Sequence, residues 1–261
     1  MARTPSAVIL TDELADRIHR LSVAVLKSTK EGYEKVRADT AGAEIGAGYA
    51  LHAGEGSPLT QAFGFGHRQY DDPALLEEFY RGRAENWEVT VTPFTSSETL
   101  RALIETGYRP SHFEGTMCRL TDNPPVVPNS NIQEVPPADP IFMETSWRAW
   151  SGNEAGTYEP DELIRAVAQM RARRYVAFLD AEPAATASLC EFEEGVIFAG
   201  AATRTPFRGC GLQTALLGRR LHDAGSGRLA VMGAVPGSAS FRNAQRAGFT
   251  PLYSTMVWMR R

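Results

Sequence analysis

Cysteine is scarce. The 261 residues hold three, Cys118, Cys190 and Cys210, too few and too far apart for a disulfide framework. Neither they nor the five histidines, His19, His52, His67, His112 and His222, recur at metal-ligand spacing, so no metal is expected. Long apolar runs are missing too. None approaches the roughly 20 residues of a membrane-spanning helix, and the N-terminus lacks the charged start and continuous apolar core of a secretory signal. A cytoplasmic protein with no membrane partner is expected. There is no surplus of positive charge, the net charge being −4, which argues against a nucleic-acid partner. The chain also lacks the three-glycine dinucleotide fingerprint and a phosphate loop ending in Gly-Lys-Ser or Gly-Lys-Thr. What is present is an ordinary globular composition, 43% hydrophobic and 22% charged, in a length sufficient for two modest domains.

The most informative stretch is residues 203–216, Thr-Arg-Thr-Pro-Phe-Arg-Gly-Cys-Gly-Leu-Gln-Thr-Ala-Leu. Apolar residues 196–202 before it read as a buried strand, and Leu212, Leu216, Leu217 and Leu221 after it fall at helical spacing. At a strand–turn–helix junction the first helical N–H groups lack partners and the helix dipole adds partial positive charge, so an anion is favoured there. Gly209 and Gly211 let the backbone approach that anion, while Arg208 adds a cation and Thr214 a hydroxyl. A second strand is expected at residues 228–235, then a short helix with Ser238 as N-cap, Phe241, Ala244 and Ala247 on one side and Gly248 at its end. A last strand at residues 253–259 would close the sheet.

Arg208, Gly211 and Gln213, in the pattern Arg-x-x-Gly-x-Gln, resemble the pyrophosphate-binding signature of the GNAT acyltransferase superfamily: Arg or Gln, two residues, Gly, one residue, then Gly or Ala. Only Gln213 departs from it. The following strand, the short helix holding Asn243 and the terminal Gly248-Phe249 occur in the family's order, and the resemblance spans residues 132–261. It implies an α+β fold with a mixed sheet flanked by helices, acetyl-coenzyme A as cosubstrate, no metal, and a small-molecule or peptide amine as acceptor. Ala201, Ala202 and Thr203 would offer a backbone N–H to the thioester carbonyl. Arg208, Gly209, Cys210, Gly211, Leu212, Gln213 and Thr214 would hold the diphosphate. Asn243 either hydrogen-bonds coenzyme A or serves only structurally.

A weak internal repeat organises the rest. Residues 87–93, 96–108 and 112–120 read as strand, short helix, Gly-aromatic and strand, the plan of residues 228–259. Between the copies, residues 121–131 hold Pro124, Pro125 and Pro128 and have linker composition. Two GNAT-like domains are therefore expected, residues 1–122 and 132–261, joined by a linker at 123–131. The copies differ chemically. Residues 59–66 read as the strand before a helix at residues 71–80, capped by an Asp with proline just inside. Its first turn is acidic, with Asp71 and Asp72, and would repel a pyrophosphate. The first copy is read as degenerate, packing on the second and walling the acceptor cleft. Elsewhere, residues 12–27 read as an amphipathic helix and 43–52 as one glycine-rich strand. Residues 132–135 begin the second sheet, 139–150 and 160–173 read as helices, and 174–180 with 184–191 as a hairpin. In the family the loop at residues 151–158 covers the acceptor.

Transfer by direct attack in a ternary complex needs a neutral amine and a protonated or stabilised thiolate, and the base is commonly a carboxylate. Glu191, Glu193 and Glu194 flank the hairpin into the carbonyl-binding strand. Glu191 is favoured because Cys190 and Phe192 place it within a strand, although a charged turn also serves simply as a solvated one. The tyrosine that many GNAT enzymes use as acid maps to Ala244 and is missing, which leaves Ser238, Ser240 or Tyr253. A non-catalytic coenzyme A-binding regulatory module, or transfer of another acyl group, fits the same signature.

Overall fold

Thr11 begins the first helix: its hydroxyl accepts from the Leu14 N–H at 3.2 Å. Ala15, Ile18, Leu21 and Leu26 then recur on one buried face of α1 (Asp12–Tyr33). The protein is described here by a computed structural model covering residues 8–124 and 131–260. After α1 come β1 (Ala41–Ile45), β2 (Gly48–His52), β3 (Gln61–Phe63), α2 (Ala74–Tyr80), β4 (Glu88–Val91), α3 (Ser97–Glu105) and β5 (Tyr108–Leu120). The second half holds β6 (Asn131–Val135), α4 (Pro140–Ser151), α5 (Glu162–Val167), β7 (Arg173–Leu179), β8 (Glu182–Phe192) and β9 (Gly195–Thr203). It ends with α6 (Leu212–Asp223), β10 (Leu229–Ala234), α7 (Ala239–Arg246) and β11 (Thr250–Arg260). Among the described residues no helix is long and apolar enough to cross a membrane.

The strands form a single mixed sheet in the order β1-β2-β3-β4-β11-β5-β10-β9-β8-β7-β6. The final strand, expected to complete the second half on its own, lies instead between β4 and β5, both of the first half. In return β5 pairs antiparallel with β10 from Leu229↔Leu120 to Ala234↔Gly115. The halves thus exchange their last strands about the central β5–β11 pair. β5 pairs with β10 along one edge and with β11 along the other, so no backbone edge is left open at the centre of the sheet. On one face of this sheet, α6 and α7 cover Leu189, Phe198 and Met232, and α2 and α3 cover Val89 and Val91. The other face holds α1 over Cys118, Leu229 and Val231, with α4 and α5 beside it over Val176.

Several elements differ from the sequence reading. The single strand at residues 43–52 is a hairpin, because Gly46 turns at φ +56°. Asp71 fixes that turn. Its carboxylate is buried and accepts from Ala47 N at 2.8 Å and Gly66 N at 2.7 Å, so it does not add charge to an exposed helix start. A Cβ on Gly46 would stand 2.0 Å from Asp71 Cγ. The following helix starts later than expected, and Asp72 accepts from Ala74 N at 2.9 Å. The helix at residues 160–173 is only α5. The buried Arg174 guanidinium takes the carbonyls of Ala172, Val167 and Met170, which turns the chain toward β7 instead. Of the expected linker, residues 125–130 lie outside the described residues.

Between α1 and the chain after β3, the rings of His19 and His67 stack at 4.0 Å. His19 Nε2 donates to the Ala47 carbonyl at 2.8 Å, and His67 Nε2 to Asp16 Oδ1 at 2.9 Å. Burial, helped by His67, pushes His19 down from 6.5 to about 4. A histidine neutral in the fold takes a proton when unfolded, so stability present above pH 6.5 is lost as pH falls toward 4. The loss approaches about 3 kcal/mol, from roughly 1.4 kcal/mol per unit of pKa difference. His19→Gln keeps an N–H for Ala47 but cannot titrate. Its urea midpoint is expected to fall less steeply than wild type between pH 7 and 4.5; parallel curves would contradict this.

Candidate active site at the turn between β9 and α6

The end of β9 is shaped by a bulge. Pairing with β8 shifts between Thr186↔Ala202 and Ser188↔Ala199, so Gly200 and Ala201 together face Ala187, and Gly200 takes φ +58°. A bulge leaves backbone groups out of the ladder. Arg220, wholly buried on α6, reaches into this region: its Nη1 donates to Ser188 O at 3.1 Å and to Ala199 O at 3.5 Å, and its guanidinium lies over the Phe198 ring. Burial pulls its pKa down to about 10, which keeps it charged at neutral pH.

Beyond the bulge a single 3-10 turn, Thr205–Phe207, leads to Gly209 at φ +83° and Gly211 at φ +78°. Both are left-handed conformations that glycine adopts at no steric cost. Gly211 is the N-cap of α6 and offers no side-chain acceptor, so the first amides of the helix keep their hydrogen-bonding capacity. Gln213, the departure from the family signature, folds back: its Nε2 donates to Ala202 O at 3.0 Å and Thr203 Oγ1 at 2.9 Å, tying helix to strand. The turn is clamped from outside by Glu154, which pairs with Arg204 at 2.8 Å and accepts from Thr205 N at 3.0 Å. The loop expected over the acceptor therefore holds the turn between β9 and α6.

A cleft of about 590 Å³ opens in front of these elements. Arg208, Arg220 and Arg246 line it, and among the described residues no carboxylate does. Ala201, Ala202, Thr203, Arg208, Gly209, Gly211, Leu212, Gln213, Thr214 and Asn243 all border the cleft, as does Ser240. Cys210 is exposed on the turn but outside the lining. Asn243 receives a hydrogen bond from Arg246 on its carbonyl oxygen. Ser238 caps α7, accepting from Phe241 N at 3.1 Å.

Two of the three expected catalytic residues lie elsewhere. Glu191 pairs with Val196 at the far end of the β8–β9 hairpin, five residues up the strand from Thr186, roughly 17 Å away at 3.3 Å per residue. It binds Arg228 at 3.1 Å. Glu194 pairs with Arg20 of α1 at 2.5 Å and Glu193 is exposed in the turn. Tyr253 sits on the α1 face with Leu229 and Val231, edge-on to Phe94 at 5.6 Å, across the sheet from the cleft; burial pushes its hydroxyl up to about 12. The sequence reading missed Arg220 and Arg246. Arg220 had a readable signal: it interrupts the apolar stripe of Leu216, Leu217 and Leu221, where a cation must find buried partners.

The equivalent connection in the first half, from β3 to α2, also has two left-handed glycines, Gly64 at φ +79° and Gly66 at φ +74°. There the Asp71 carboxylate already occupies the Gly66 amide. The first half supplies its own anion.

No family model matches the sequence. No curated protein matches it either. Solved structures do. A GCN5-related N-acetyltransferase from Kribbella flavida aligns with a TM-score of 0.60 at 15% identity, over 91% of this chain and 95% of that one. A tandem GNAT protein from the clavulanic acid biosynthesis pathway gives 0.59 at 15% identity, over 97% and 96%. A GCN5-related N-acetyltransferase from Sphaerobacter thermophilus gives 0.55 at 18% identity, over 82% and 76%. The chain has the GNAT fold, and its likeness to a tandem GNAT protein runs through nearly its whole length.

Proposed function

We propose that this protein is an acetyl-coenzyme A-dependent N-acetyltransferase whose cosubstrate binds only to the second half. The observation that carries the proposal is the cleft at the end of β9, where two left-handed glycines, a strand bulge and three guanidinium groups converge without a carboxylate. Bound there, acetyl-coenzyme A would supply an activated acyl group. The amides of residues 209–214 and the Arg208 side chain hold its diphosphate. The bulge directs a backbone N–H from Ala201 or Ala202 to the carbonyl, which polarises it. Ser240 and Asn243, on α7, border the same cleft and are placed to donate to the departing sulfur. Glu191 and Tyr253 have no part in this arrangement.

A regulatory coenzyme A-binding module is favoured by one feature: the lining carries no carboxylate, histidine or tyrosine to move a proton. Thiol release measured with acetyl-coenzyme A and a panel of primary amines, with product masses, separates the two. Amine-dependent release with a mass gain of one acetyl group is expected. Tight coenzyme A binding without release for any amine would establish the module instead, and release with only longer acyl thioesters would change the donor.

A further inference from the structure

A second cavity lies directly behind the first. β9 and β10 pair only at Ala230↔Val196 and Val231↔Ile197 and then diverge. Met232, the next residue on β10, borders both the cosubstrate cleft and a cavity of about 200 Å³ on the α1 face of the sheet. The two cavities thus meet at Met232, on either side of the place where the strands part. The second chamber draws on both halves: Ser22 of α1, Gln61 of β3, Thr90 of β4, Thr116 of β5 and Thr255 of β11 give it hydroxyls and an amide, while Ile197 and Val231 wall its inner end. Among the described residues, Glu114 of β5 is the sole charged one in its lining. The chambers are therefore of opposite sign, three guanidiniums on one side and one carboxylate on the other. His112 and Glu88 stand on the same face near Glu114, and burial together with Glu114 raises the Glu88 carboxyl while His112 lowers it.

We infer that this chamber is the acceptor pocket and that Glu114 binds one ammonium of a compact, polar diamine, whose other, neutral amino group meets the thioester through the gap between β9 and β10; its nitrogen bonds to the acyl carbon as the C–S bond breaks, and its proton goes to the departing thiolate. The inference rests on the proposed acetyl transfer and deepens it. It moves acceptor recognition from the 151–158 loop to α1 and the exchanged strands, so the first half, which binds no cosubstrate, chooses the substrate. A neutral polyol of the same length lacks the charge and is excluded.

The test follows the methyl resonances of Ile197, Val231 and Met232 while 1,4-diaminobutane or 1,4-butanediol is added to the full chain. The diamine is expected to shift them and the diol to leave them in place, and Glu114→Gln is expected to weaken the diamine at least tenfold with coenzyme A affinity retained. Ser22→Phe, which fills the chamber from α1, is expected to abolish the diamine shifts without altering coenzyme A binding. Equal response to diol and diamine, or an unchanged diamine affinity in folded Glu114→Gln, would overturn the inference. Because this readout needs no turnover, amine binding without acetyl transfer would fail the enzyme reading alone. Acetyl transfer with an unaltered amine KM in Glu114→Gln would fail this inference alone.

Discussion

Gly211→Val is expected to weaken coenzyme A binding at least tenfold, about 1.4 kcal/mol, while the protein remains folded. At φ +78° a residue with a Cβ is strained by roughly 1–2 kcal/mol, and branching at Cβ adds to it. Among the described residues, no atom beyond the glycine's own chain neighbours and its helix backbone lies within 4 Å of the position that Cβ would take. The valine would therefore not clash internally; its side chain would project into the space at the N-terminus of α6 where the diphosphate has to approach the amides. Calorimetric titration of folded Gly211→Val with coenzyme A gives the answer directly. Wild-type affinity would overturn the assignment of the turn.

Arg220→Met should cause the largest loss of stability of any single change in the cleft. Methionine keeps much of the side-chain volume but leaves the carbonyls of Ser188 and Ala199 without their donor in the sheet interior. Each buried polar group left unpaired costs about 1–3 kcal/mol, so about 2–6 kcal/mol is expected for the two. At roughly 2–4 °C per kcal/mol for a chain of this size, Tm should drop by about 4–24 °C. Coenzyme A affinity should fall with it, since the guanidinium holds the bulge that directs the carbonyl-binding amides. A wild-type Tm measured calorimetrically would contradict this role.

What could be read from the sequence was local. The turn at residues 203–216 announces itself because its glycines, its arginine and the apolar spacing on either side act within a dozen residues. The N-cap Ser238 is legible for the same reason: its hydroxyl accepts from an amide three residues on. Where partners lie far apart in the chain, the reading stopped. Nothing near Thr250 tells that β11 pairs with β4, because both halves carry the same strand pattern and either set of edges would accept it. Asp71 reads as a helix start until Gly46 and Ala47 are brought beside it. Glu191 lies in the strand hairpin as expected, yet the alternation that puts it there says nothing of which end faces the cleft. Glu114 sits in an exposed stretch and stays exposed in the fold; only α1 lying over the sheet makes the cavity that it borders.

Amide hydrogen exchange on the full chain, with and without saturating coenzyme A, decides whether one coenzyme A lies on the amides of the β9–α6 turn and nowhere else. Slowed exchange is expected at residues 209–214 and along the end of β9, with the β3–α2 connection at residues 64–69 unchanged because Asp71 already serves as its anion. Protection at residues 64–69, or none at 209–214 under saturating conditions, would contradict the account.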